Sequence, residues 1–282
     1  MSSTFRPINR LIFGLLLAAM AGLLAGCQDV RSPQVVKIGL VAPFEGPSRA
    51  LGYEVLHGVR LQIRQWNEST AQPKIELVAL NDDGNPALAA HLPAQLARDD
   101  AVRVILGPPQ GHTAMAFNAA DLAQTGIPAL LLGPVKASVA PNILAYAGTG
   151  HDYEVVLAHG GATAVWDVPL TGPGIWLGNP LTLAALLQEK NAYLLAAGPV
   201  AREAAVQQEA SDLPWAAPQP QHLPADFVAS YQAAAGQAPS PAAALAYAAA
   251  GEALRIIAAA PDYRPGVADL NSIIPPPIRI QP

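Results

Sequence analysis

The chain has 282 residues, 51% of them hydrophobic and 13% charged, with a formal net charge of −5. This composition is too apolar for a disordered chain, and the length allows one or two domains with real cores. The negative balance gives a nucleic-acid partner no electrostatic support, and the single cysteine, Cys27, can close no internal disulfide.

Arg6 and Arg10 precede an uncharged apolar run from Leu11 to Leu24 that is followed by small residues. A basic start, an apolar middle and a small-residue end are the layout of a secretory signal. A retained membrane anchor is the alternative, but the run is short against the roughly 20 residues that a span requires. The stretch Leu24-Ala25-Gly26-Cys27 resembles the bacterial lipobox. That resemblance implies a lipoprotein signal peptide over 1–26, with Cys27 lipidated as the first mature residue. A diacylglycerol thioether with an N-acyl chain anchors more firmly than a single acyl group. Residues 27–34 form a polar tether before folded structure begins.

The run VVKIGLVAPF, ending in Pro43, reads as a buried strand. A helix follows, with Val55, Val59, Leu61 and Ile63 as its apolar positions and Asn67, Glu68 and Ser69 at its close. KIELVAL is a second strand, then NDDGNP a polar turn, then ALAAHLPAQLARDD a helix that Pro93 should kink or shorten. VRVILGP is a third strand, TAMAFNAADLAQTG a helix stopped by Gly126, and IPALLLGP a fourth strand. This alternation predicts a parallel sheet with right-handed crossovers, whose ligand crevice lies outside the strand C-termini.

Further along, Trp176 beside Gly174 and Gly178 is expected in the core, and Trp215 in the Pro-rich DLPWAAPQPQ is expected to be exposed. AAALAYAAAGEALRIIAAA is expected to be a packed helix, because Tyr247, Gly251, Glu252 and Arg255 interrupt it too often for a membrane span.

Signals for chemistry are weak. GPGIWLG has neither GxGxxG spacing nor a GK[ST] ending. His151, Asp152, Glu154 and His159 lack metal-ligand spacing and read as a solvated helix start. The carboxylates of NDDGNP read as a turn capping the next helix, and no GxSxG elbow is present. No catalytic residue, metal or cofactor is assigned, and an enzyme is not expected.

The segments VKIGLVAPFEGPSRALGYEVLHGVRLQI, LNDDGNPALAAHLPAQLARDDAVRVILGP and GIPALLLGP closely resemble the leucine/isoleucine/valine-binding protein family, type I periplasmic solute-binding proteins of ABC transporters. The resemblance runs from 35 to about 142. It returns in LPADFVASYQAAAGQAPSPAAALAYAAAGEALRII, similar to the family's late helix pair, and in IIPPPIRIQ, similar to its closing strand. It implies an α/β fold of two lobes, parallel sheets flanked by helices, joined by three crossings. Mapped here, the first lobe is 35–145 plus about 222–260. The second, shortened lobe is about 146–221 plus 261–282.

The same resemblance implies a lipid-anchored extracytoplasmic protein, periplasmic or at the cell surface. It would be a monomer that binds a small polar ligand, an amino acid or related amide, and delivers it to an ABC permease by hinge closure. The implied contacts are Glu45, Gly46 and Leu51 in the first turn, Gln110, Gly111, His112 and Thr113 after the third strand, and Gly133, Pro134 and Val135 after the fourth. Family members that hold an amino-acid carboxylate use serine and threonine hydroxyls in the last two turns, where this chain carries Gln110, Gly111, His112 and Gly133, Pro134, Val135. Thr113 and Ser138 lie one step or a few away, and backbone N–H groups at helix N-termini are the other available donors. The shortened second lobe and these turns keep an alternative open, a degenerate family member acting as a surface sensory or interaction lipoprotein without transport.

Overall fold

The computed structural model describes residues 35–120, 122–137, 140–156, 163–166, 172–189, 194–259, 270 and 273–281. Cys27, Ser138 and His159 lie outside the described residues.

The first sheet is built from β1 (Val36–Ala42), β2 (Ile75–Asn81), β3 (Val102–Leu106), β4 (Ala129–Leu130) and β5 (Ile143–Leu144), in the order β2-β1-β3-β4-β5. All its pairings are parallel. β1 is buried almost throughout, as expected of a central strand covered on both faces. Helix α1 (Arg49–Glu68) buries Val55, Leu56, Val59 and Ile63 on one stripe, while Leu61 packs with Phe227 and Tyr231. Two short helices follow β2: α2 (Pro86–Ala89), capped by the Asn85 side chain, and α3 (Leu92–Leu96). The break falls where Pro93 enters, because proline lacks the N–H that would continue the ladder and is tolerated only in a first turn. The next expected helix is likewise two pieces, α4 (Gly111–Asn118) and α5 (Leu122–Thr125).

The second sheet has the order β10-β9-β8-β7-β6. Its strands are short: β6 (Thr163–Val165), β7 (Gly174–Trp176), β8 (Leu194–Ala197), β9 (Trp215–Pro218) and β10 (Ile278–Gln281). β6 to β9 run parallel, and β10 closes the edge antiparallel to β9. Helices α6 (Gly150–Val156), α7 (Pro180–Gln188) and α8 (Ala204–Glu209) belong to this half. Two further helices, α9 (Phe227–Ala235) and the longer α10 (Pro241–Ala259), pack back on α1. The chain thus passes between the two sheets three times: after β5, after β9 and before β10.

By length and composition α10 could cross a membrane. Its residues Leu245, Ala246, Ala249, Ala250, Ala253 and Leu254 instead pack with Val55, Val59 and Ile38 in the first core. Each such Leu or Val contributes about 1.5–3 kcal/mol on burial. Leu270 and Ile273 share this core, whereas Ile278 packs with Trp166 and Tyr153 in the second. The tail therefore changes bodies between 273 and 278, later than the expected boundary at 261, because its apolar side chains fill the cover of the first sheet before the strand forms.

Candidate functional site

Three turns at strand C-termini of the first body and several segments of the facing body enclose a cavity of about 100 Å³. The first body contributes Pro47, Ser48, Leu51, Pro109, Gln110, Gly111, Leu132 and Pro134. The second contributes Leu177, Pro199, Val200, Arg202, Glu203, Trp215 and Ala217, and the start of α10 adds Ser240 and Pro241. Such an apolar lining with a few convergent polar groups is the usual make-up of a small-molecule site.

The polar groups converge on one point. Ser48 Oγ donates to Glu203 Oε2 at 2.5 Å, and Gln110 Nε2 donates to Glu203 Oε1 at 2.7 Å and to Ser48 Oγ at 2.8 Å. Ser48, Gln110 and Glu203 are the N-cap residues of α1, α4 and α8, yet none of their side chains caps its own helix. Serine is among the favoured N-cap residues, and its hydroxyl usually accepts from the first-turn N–H groups. Here it is turned across the cleft instead. Burial pushes the Glu203 carboxyl up, with Asp82 and Glu54 adding like charge, while the bonds from Ser48 and Gln110 act the other way. Beside it, the Arg202 guanidinium lies 5.5 Å from the Trp215 ring centroid.

Behind Gln110 is the NDDGNP turn. Asp82 is fully buried, accepts from Gly84 N at 3.0 Å through Oδ1, and has Oδ2 buried without a hydrogen bond. Burial, the largest cause, pushes its carboxyl up to about 6. The turn is thus no simple solvated cap. Asn85 does cap α2, while Asn81 Oδ1 accepts from Phe44 N at 2.7 Å and fixes the loop after β1.

Of the implied contacts, Leu51, Gln110, Gly111 and Pro134 line the cavity. Glu45 and Gly46 are exposed, with Gly46 in the left-handed region at φ 71°. His112 turns to the Gly84 carbonyl, 3.0 Å from Nε2. Thr113 is buried and donates to Gln110 O at 3.1 Å. Gly133 packs on the backbone of Pro109 and Gln110, where a Cβ would stand 2.6 Å from Gln110 C. Val135 is in the first body's second core cluster and bridges Thr149.

Trp176 is fully buried as expected, its Nε1 donating to Asn179 O at 3.1 Å. Trp215 is not exposed: it is 8% accessible, because its backbone pairs with Ala197 and Gln281 as strand β9 and its ring forms a cavity wall. Ser48, Arg202 and Glu203 are absent from the implied set. The rule that ligands bind outside strand C-termini, applied to the turn after β8, marks residues 198–203. Asp152 accepts from Thr149, and Tyr153 is buried with its hydroxyl donating to Ala147 O. Among the described residues no three His, Cys, Asp or Glu side chains gather as a metal site.

Comparison with known proteins agrees with this architecture. Residues 35–166 match the sequence model of the family described as periplasmic binding protein. No curated protein matches the chain in sequence. Among solved structures, the chain is similar to a leucine-binding protein, LivK, from Thermotoga maritima, with TM-score 0.62, 15% identity and coverage of 80% of this chain and 83% of that one. It is also similar to a periplasmic binding protein type 1 from Bordetella pertussis, with TM-score 0.60, 18% identity and coverage of 80% and 85%. A solute-binding protein of an ABC transporter from R. palustris, in complex with 4-hydroxybenzoate, gives TM-score 0.59 at 16% identity, covering 82% of each chain. The family model thus covers the first body and the start of the second, and the chain as a whole shares the fold of these solved binding proteins.

Proposed function

We propose that the protein is an extracytoplasmic solute-binding protein that closes on a small ligand and presents it to an ABC permease. The observation that carries this reading is the cavity walled from both bodies, with Ser48 and Gln110 on one side and Glu203 and Trp215 on the other. A ligand in that position is in contact with both bodies only when they are together, so binding favours the closed arrangement. Structures of the same fold carry leucine-binding and 4-hydroxybenzoate-binding proteins, which supports a small ligand with an apolar part and one polar head. Within that range the reading is an amino acid or related amide.

The reading includes attachment by lipid at Cys27, in a monomer. Radiolabelled palmitate retained by wild type and lost from Cys27→Ala is the expected result, and equal labelling of both would remove the anchor from the proposal. For the ligand, the full chain in mild detergent is melted against a library of amino acids and small amides. Binding to the native state alone raises stability by about 2.7 kcal/mol at a hundredfold excess over Kd. A shift of several degrees with one compound is expected.

A second reading has one observation behind it. The Ser48–Gln110–Glu203 contacts bridge the cleft with protein side chains, which suits a surface sensory or interaction lipoprotein that no longer transports. Cooperative melting with no shift from any compound would favour it.

A further inference from the structure

Three carboxylates gather at the cleft without a cation to answer them. Glu203 belongs to the second body and stands between the N-terminal ends of α1 and α4, where Ser48 and Gln110 donate to its two oxygens. Glu54, further along α1, lines the same cavity. Asp82 is fully buried in the turn after β2, with Gly84 N and Thr113 of α4 against it and Asp83 beside it. Among the described residues no ion pair involves any of the three. Arg202, the cation in the cavity lining, is exposed and lies against the Trp215 ring, and His112 of α4 faces the Gly84 carbonyl.

The charges are divided between the bodies: Glu54 and Asp82 are fixed to the first, Glu203 to the second. Together, the bodies take Glu203 out of water and set it beside two like charges, where repulsion is several times stronger than in solvent. Burial pushes its carboxyl up and Asp82 and Glu54 add to the rise, against the bonds from Ser48 and Gln110. A desolvated carboxylate is met by a cation or by a proton, and here the cation is missing.

We propose that bringing the two bodies together takes up a proton from solvent into the Glu54–Asp82–Glu203 cluster, so that acid favours the closed arrangement and a solute is held more tightly as pH falls. The coupling to solute rests on the solute-binding reading, whereas the proton linkage is a property of the cleft itself. Away from the first body the Glu203 carboxyl titrates near its ordinary value of 4.5, and between the bodies above it. The closed form therefore holds the extra proton. Its advantage is complete below the ordinary value and is lost as pH rises through the raised one, by up to about tenfold per pH unit for one proton.

Hydrogen exchange on the full chain in mild detergent tests the linkage, with rates corrected for the intrinsic effect of pH. Peptides spanning 108–114 and 198–206 report on the cleft, and one spanning β1 reports on global unfolding. Wild-type cleft peptides are expected to gain protection several-fold from pH 8 to pH 5 relative to β1. Glu203→Gln keeps an oxygen for Gln110 to donate to, and its cleft peptides should be protected equally at both pH values. Glu54→Gln removes one like charge and should move the wild-type transition to lower pH, which keeps the test open should the first variant fail to fold. Equal protection of wild type at the two pH values, or one pH response shared by wild type and Glu203→Gln, overturns the linkage. If the response is as expected while no library compound stabilises wild type, the solute-binding reading alone fails. If a compound stabilises wild type equally at pH 5 and pH 8, the coupling to solute fails and that reading stands.

Discussion

Gly58 of α1 lies directly against the carbonyl of Ala243 in α10. A Cβ at position 58 would stand 2.4 Å from that oxygen and 3.2 Å from Tyr247 N. The two helices therefore touch backbone to backbone, and the pair closes the outer face of the first sheet. Gly58→Ala is expected to destabilise by about 1–3 kcal/mol through overpacking, outweighing the roughly 1 kcal/mol that alanine gains over glycine inside a helix. Urea unfolding checks this through the midpoint. A midpoint equal to or above that of wild type would show that the helices can part without loss.

A second contact of the same kind joins the two bodies. A Cβ on Gly111 would stand 2.2 Å from Leu177 O, with the Trp166 ring 3.1 Å away. Gly111→Ala should hold the bodies apart while leaving each sheet intact. The expected signature is an unchanged circular dichroism spectrum, faster amide exchange around 177 and loss of any solute-induced thermal shift. A retained shift of normal size would mean that closure does not bring these backbones together.

Asp82 gives the protein a pH dependence of unusual sign. Its carboxyl titrates near 3.8 in an unfolded chain and at about 6 in the fold. Between those values the native state holds the extra proton, so this group's contribution is most favourable below the lower value and is lost as pH rises to about 6. The full difference is roughly 3 kcal/mol. Asp82→Asn keeps the oxygen that accepts from Gly84 N and removes the titrating charge from the buried site. The variant should melt higher than wild type at pH 7 and show a flatter profile between pH 4 and 6. Parallel profiles for the two proteins would contradict the assignment.

Asn67 substitutes for a strand at the entrance to β2. Its Oδ1 accepts from Ile75 N at 2.9 Å and its Nδ2 donates to Ile75 O at 2.8 Å. Asn67→Ala leaves both backbone groups part-buried and unpaired, at an expected loss of about 2 kcal/mol. Hydrogen exchange at the Ile75 amide should accelerate in proportion. An unchanged exchange rate would show that water replaces the side chain at no loss.

The first body was legible because its signals are local. β1 is a buried apolar run, α1 has a regular stripe, and Pro93 splits its helix by simple stereochemistry. The second body was harder, since three- and four-residue strands carry too few side chains to show a pattern. Trp215 illustrates this: flanking prolines suggest a loop, and only its pairing to Ala197 and Gln281 makes it a strand. For the site, the family resemblance, which sets contacts in turns at strand C-termini, led to Gln110, Gly111 and Pro134. It missed Glu203, whose partners are 155 and 93 residues away in the chain, a separation that no local motif records.

The packing of α10 on α1 also bears on how the chain folds. The two helices are separated in sequence by strands β2 to β9, yet they pack together over the strands of one core. Closing so long a loop carries a large entropic penalty before any contact rewards it. A topology dominated by such distant contacts folds slowly and leaves apolar faces uncovered meanwhile. The face of α1 that bears Val55 and Val59 belongs to the apolar surface that α10 covers.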